Sequence, residues 1–91
     1  MKIASVQQVD NCLDGVNILE YGFNDAWDRE NIGLLSTFGR LEYFADFPRP
    51  MFRLTAPGIQ VKGVQGEKYC RVIYSRELGG PAREKFEKVF S

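Results

Sequence analysis

The chain has 91 residues, of which 44% are hydrophobic and 26% charged, with 12 basic side chains, 12 acidic side chains and no histidine. This length fits one domain with a modest core, and the composition excludes an intrinsically disordered chain. The lack of histidine excludes histidine-based catalytic triads and the zinc sites that need histidine ligands.

The first fifteen residues carry two conflicting patterns. Their β-branched content favours a strand, and a capping box at Ser5 and Gln8 favours a helix that would end at Gly15. We predict a helix, because four apolar residues fall near helical spacing: Ile3, Val6, Val9 and Leu13.

A strand is predicted next, over residues 16–23, and then a helix capped by Asn24 or Asp25. The helix is predicted to end at Gly39, and the apolar–polar alternation of residues 40–47 is typical of a half-buried strand. We predict that the helix buries four side chains: Trp27, Leu34, Leu35 and Phe38.

Pro48 and Pro50 end that strand, because neither proline can donate to a sheet ladder. A short strand follows over residues 51–55. Residues 59–64 and 67–75 then form the clearest hairpin of the chain. The prolines are interpreted as a rigid connection between edge strands.

The hairpin register follows from the length of its loop. With a two-residue loop at Gln65-Gly66, Val61 lies opposite Cys70 and Lys62 lies opposite Tyr69. Cys70 is then on the apolar side of its strand, where a thiol is unreactive. Cys12 and Cys70 lie far apart in the sequence and form no C-x-x-C pair, and a reducing compartment is expected, so we predict two free thiols rather than a disulfide.

The chain ends in a predicted helix that follows Gly79-Gly80 and has Pro81 at its first position. Its apolar stripe contains Ala82, Phe86, Val89 and Phe90. We expect residues 1–91 to form a single small α+β domain. Its sheet is mainly antiparallel with four to five strands, and two helices, or three if the N-terminal segment is helical, pack on one face.

The charges are unevenly distributed along the chain. Residues 1–47 hold eight acids and three bases, which gives −5, whereas residues 48–91 hold nine bases and four acids, which gives +5. We predict that the two halves attract each other within the fold through cross-strand or helix–sheet pairs.

No catalytic residue, metal site or cofactor is predicted. Residues 10–15 resemble the start of an EF-hand calcium loop, but Cys12 stands where an oxygen ligand is required, and Tyr21 stands where a bidentate glutamate is required. The glycines Gly58 and Gly63 lack the Lys-Ser/Thr ending of a phosphate loop. No run of about 18 apolar residues or signal sequence occurs, so we expect a cytoplasmic protein with no membrane partner.

The positive functional signal is a basic and partly aromatic sheet face. The alternation of the strands predicts that five residues project from it: Phe44, Arg53, Lys62, Tyr69 and Arg71. Glu42, Asp46 and Glu67 are expected to share this face.

Three functions are compatible with this face. The first is a small non-catalytic interaction domain that binds a protein partner or forms a homodimer, because aromatic and arginine residues are enriched at interfaces. The alternative is a binder of single-stranded nucleic acid or of an anionic ligand, which would usually be more basic than a chain of pI 6.2. The third is an accessory subunit of an enzyme whose site a partner completes.

Overall fold

The structure, a computed structural model, describes residues 1–11 and 17–91. These residues form a six-stranded antiparallel sheet with the spatial order β1-β2-β6-β5-β4-β3, and two α-helices. The elements are β1 (Ile3–Asn11), β2 (Asn17–Phe23), α1 (Arg29–Leu34) with a 3₁₀ turn (Leu35–Thr37), β3 (Arg40–Phe44), β4 (Met51–Ala56), β5 (Ile59–Val64), β6 (Tyr69–Tyr74) and α2 (Gly79–Val89).

The antiparallel α+β architecture is therefore confirmed, whereas the predicted four to five strands become six. The additional strand is β1, where we predicted a helix. The expected layer of helices on one face is not clearly formed either: α2 packs against β5 and β6, and α1 is only six residues long. No helix in the described ranges is long and apolar enough to cross a membrane.

The register of β1 explains why its sequence has helical spacing. Ile3 pairs with Phe23 and Val6 pairs with Tyr21, and an irregularity lies between these two pairs. The inserted residue brings two side chains that are three positions apart to the same face of the strand, as a helix would. Residues 12–16 lie outside the described residues, and with them the predicted helix end at Gly15, the predicted free thiol at Cys12 and most of the segment that resembles the start of a calcium loop.

α1 begins later than predicted because Asp28, not Asn24 or Asp25, is its N-cap. The Asp28 side chain accepts a hydrogen bond from the backbone N–H of Asn31 at 2.7 Å. The shift changes the buried face of the helix: Ile32 is buried, whereas Leu34, which we predicted to be inward, is 45% exposed.

The core lies on one face of the central strands. α2 contributes Phe86 and Phe90, which are buried as predicted, whereas its Val89 is exposed. α2 begins at Gly79, so Pro81 is its third residue rather than its first. The other buried apolar side chains are Leu19, Tyr21, Phe23, Trp27, Ile32, Leu35, Phe52, Leu54, Ile59, Val61, Cys70, Val72 and Tyr74.

The β5–β6 hairpin has a register that differs by two residues from the predicted one. Val61 lies opposite Val72, and Lys62 lies opposite Arg71. A shift of two leaves every side chain on its predicted face, because side chains alternate with a period of two. Cys70 is accordingly buried and free, as predicted.

The register differs because the loop spans residues 65–68 and is held by another part of the chain. The backbone N–H of Trp27 donates to the carbonyl of Glu67 at 2.9 Å, and the Trp27 carbonyl accepts from Gly66 at 2.8 Å. Phe23 also donates to the carbonyl of Lys68 at 2.7 Å. Because these contacts with a distant segment hold residues 66–68, the loop is longer than the two residues predicted from the sequence.

β3 ends at Phe44, before the predicted end at residue 47. Residues 45–46 form a turn and residues 47–49 a bend, and Phe47, which we predicted to be inward, is exposed. The proline segment then enters β4, where the carbonyl of Pro50 accepts a hydrogen bond from Gln65 at 2.8 Å.

Candidate functional site

The sheet face opposite the core, here called the outer face, carries a row of charged side chains that crosses the strands. Its three cations, here called the cation row, are Arg53 on β4, Lys62 on β5 and Arg71 on β6, which are direct cross-strand neighbours. Glu42 on β3 lies opposite Arg53, and Glu20 on β2 lies opposite Arg71. The row therefore has a carboxylate at each end and three cations between them.

The two arginines of the cation row are each paired with the carboxylate at their end. Arg53 donates from Nη2 and Nε to Glu42 Oε1 at 2.9 and 3.1 Å, and Arg71 Nη2 lies 3.5 Å from Glu20 Oε2. Both pairs join the acidic and basic halves of the chain, which confirms the predicted attraction between them. Each pair is part-exposed and is expected to contribute at most about 1 kcal/mol.

Lys62 differs from its two neighbours because no carboxylate among the described residues pairs with it. Its cross-strand neighbours, Arg53 and Arg71, are both cations, and like charges directly opposite each other destabilise a sheet. Three cations against two carboxylates leave one uncompensated positive charge, which is located at the centre of the outer face.

A second row, here called the apolar row, runs beside the cation row. Phe44 lies opposite Met51, and Met51 lies opposite Val64 on the next strand. Tyr69 continues the row at the start of β6. Met51 and Tyr69 are 41% and 49% exposed, so this apolar surface is accessible to a partner.

Two shallow depressions flank Lys62. The first has a volume of about 230 Å³ and lies between Tyr69 and Met51; the second, of about 210 Å³, lies between Met51 and Phe44. Lys62 and Met51 line both. The guanidinium of Arg53 lies 5.7 Å from the ring centroid of Phe44, which is within cation–π range.

The core positions the aromatic end of the apolar row. The indole Nε1 of Trp27 donates to the backbone carbonyl of Tyr69 at 3.1 Å, which ties the first residue of β6 to the core. Because Trp27 is almost fully buried, this contact fixes the backbone from which the exposed Tyr69 ring projects.

The structure places all five predicted site residues on the outer face, in the two rows described above. Of the acids expected on this face, Glu42 lies in the charged row, whereas Asp46 lies in the turn after β3 and Glu67 pairs with Arg49. The sequence reasoning omitted Met51 and Val64. The alternation from buried Phe52 and Leu54 would have placed Met51 outward.

A second cluster of polar groups lies inside the core. Tyr21 Oη donates to Glu87 Oε2 at 2.7 Å and lies 2.8 Å from Tyr74 Oη. Burial raises the pKa of Tyr74 to about 12. Burial is also the largest of the effects that raise the pKa of Tyr21. Both phenols are therefore neutral at physiological pH and serve as hydrogen-bonding groups.

Nucleophilic and metal chemistry find no support in the described residues. Burial, and to a lesser degree the charge of Glu20, raises the pKa of the Cys70 thiol, which removes its nucleophilic form at neutral pH. No group of three side chains from His, Cys, Asp and Glu could hold a metal ion within the described part of the chain. A further depression at the start of α2 is lined by Arg76 and Arg83 but offers no unpartnered buried side chain.

No known protein family, curated protein or solved structure matches this chain. Among the described residues, the outer face combines accessible apolar surface with an uncompensated charge, and we take it as the candidate functional site.

Proposed function

We propose that this domain is a non-catalytic interaction module that binds another protein through its outer face. The observation that carries this proposal is the apolar row, whose exposed Tyr69 and Met51 lie directly beside the cation row. Tyrosine, methionine and arginine are enriched at protein interfaces, and an apolar centre with a charged rim is the usual interface composition.

The charge pairing on the outer face favours a protein over a nucleic acid. Arg53 and Arg71 already contact Glu42 and Glu20, so a phosphate backbone would have to displace two carboxylates. Affinity for nucleic acid rises with the number of phosphates that are neutralised. Within the cation row, only Lys62 lacks a carboxylate partner among the described residues, and one such charge is a weak basis for binding an extended polyanion.

The test is a selection from random peptides displayed on phage, followed by mapping of the bound peptides on the protein by NMR amide shifts. We expect the shifts to concentrate on the outer face. The double variant Tyr69→Ala/Arg71→Ala should weaken binding about tenfold or more, because it removes two residues of the types that dominate interface energies. Its thermal unfolding should change little, since both side chains are exposed.

A matched control uses the same two substitutions away from the outer face. Arg29 lies over the ring of Tyr43, 5.9 Å from its centroid, on the side of β3 that faces away from the outer face. Tyr43→Ala/Arg29→Ala should leave peptide binding unchanged.

Two results would contradict the proposal. One is a set of peptides that maps to another surface. The other is binding of single-stranded RNA on the outer face with an affinity that falls steeply with salt.

A further inference from the structure

We infer that the partner places an acidic side chain on Lys62 and apolar groups in the two depressions that flank it. This inference rests on the proposed function and specifies the chemistry of the partner. It follows from the charge balance of the cation row and from the shape of the surface around it.

One additional carboxylate at the centre of the outer face would balance the charges of the cation row and its two carboxylates. Lys62 lies between Arg53 and Arg71, and each arginine is turned to a carboxylate at the far end of the row. The repulsion among the three cations is thus uncompensated at Lys62 in the free protein. A carboxylate from a partner would relieve it, so binding gains from both the new pair and the loss of repulsion.

The surface around Lys62 specifies what accompanies that carboxylate. The depressions of about 230 and 210 Å³ lie on its two sides, and Met51 separates them. The remaining apolar contributors are Val64 and Tyr69 in the first and Phe44 and Phe52 in the second. An acidic residue with apolar neighbours on both sides therefore fits the site, whereas an acidic tract without apolar residues leaves the depressions empty.

A second copy of this chain fits the face poorly. In a two-fold face-to-face dimer centred on Lys62, the cation row of one copy would lie against the cation row of the other. A phosphate group fits less well than a carboxylate, because phosphate is best bound by the fork of an arginine and both arginines here are engaged.

The experiment uses the displayed random peptides selected on the wild-type protein as the probe. We expect the peptides that map to the outer face to be enriched in Asp or Glu flanked by apolar residues. For one such peptide, Lys62→Gln should weaken binding roughly tenfold, and replacement of the peptide acid by its amide should do the same. The two changes combined should cost little more than either alone, because both remove one contact.

Lys68→Gln is the matched control, because Lys68 is an exposed lysine in the loop beyond the cation row. This variant should bind the peptide as the wild-type protein does. A selection repeated on Lys62→Glu should recover basic peptides in place of acidic ones.

Failure of the inference is distinguishable from failure of the proposed function. The inference would be overturned if the peptides that bind the outer face contain no acidic residue, or if an acidic peptide binds Lys62→Gln as tightly as the wild-type protein. Either result would leave the proposed function standing. Peptides that map away from the outer face would overturn both. The inference would also be overturned if the molecular mass in solution rises with protein concentration for the wild-type protein but not for Lys62→Gln. That result would mean that a second copy of the chain binds the outer face.

Discussion

The phenol oxygens of Tyr21 on β2 and Tyr74 on β6 lie 2.8 Å apart in the core. Because Tyr21 gives its single hydroxyl proton to Glu87, Tyr74 must donate to Tyr21. Arg83 Nε also donates to the same oxygen of Glu87, at 2.9 Å. The chain of hydrogen bonds thereby joins two strands of the sheet to α2.

The first prediction concerns Glu87→Gln. Burial by itself would raise the pKa of Glu87, but the hydrogen bonds from Tyr21 and Arg83 outweigh it and lower the pKa. A lowered folded-state pKa gives stability above the ordinary carboxyl pKa, near 4.3, that is lost as pH falls through the folded value. We expect Glu87→Gln to lower the free energy of unfolding at pH 7 by about 1 kcal/mol or less, since the side chain is 35% exposed.

Urea unfolding at neutral and acid pH checks this prediction. The difference between the wild-type protein and Glu87→Gln should shrink as the pH falls below about 4. Glu84→Gln is the control, because it removes the same charge from an exposed position of α2 and should change stability little. A difference that stays constant with pH would show that the ionised carboxylate is not the stabilising form.

The second prediction concerns Gly63, which lies opposite Phe52 in the sheet. A Cβ atom at Gly63 would overlap the Phe52 ring, which is buried and would have to shift. We expect Gly63→Ala to lower the free energy of unfolding by about 1–3 kcal/mol, as overpacking a core does.

Gly33→Ala separates this steric effect from the general effect of replacing a glycine. No atom lies within 4 Å of a Cβ placed at Gly33, which is inside α1. This substitution should stabilise the protein by up to about 1 kcal/mol. Denaturant midpoints of the two variants test both expectations, and equal effects of the two substitutions would contradict the proposed overlap with Phe52.

The third prediction concerns the Cys70 thiol. It is fully buried and its pKa is raised, so a thiol reagent should modify it only when the protein unfolds. Labelling should be done on Cys12→Ser, so that the signal comes from Cys70 alone. Rapid labelling without denaturant would mean that β6 presents the opposite face to the core.

The alternation of side chains along strands predicts which face each residue of the candidate site occupies, but not which residues are cross-strand neighbours. The alternation of β4, β5 and β6 placed Arg53, Lys62 and Arg71 on one face, and the two-residue error in the hairpin register did not change that. The same error paired Lys62 with Tyr69 instead of Arg71. The sequence therefore predicted that these three residues share a face. It did not predict that they are direct neighbours, because the pairing of residues across two strands depends on the length of the loop between them.

The helix boundaries could not be predicted as well. Asn24, Asp25 and Asp28 are all good N-cap residues, and only the contacts of Trp27 with the β5–β6 loop make Asp28 the cap that is used. Local preference among three candidates is small compared with the burial of a tryptophan.

By itself the sequence determined the antiparallel α+β class, the faces of the central strands and the absence of histidine chemistry. These features depend on the period of apolar residues and on composition, which are local properties of the chain. Two features were decided by the tertiary structure alone. The first is that β1 is a strand, which its sequence did not predict because a bulge gives its apolar residues a helical spacing. The second is that Lys62 has two cations as cross-strand neighbours. Both depend on pairing between distant segments, and hydrogen bonds to a partner strand override local preference where the two compete.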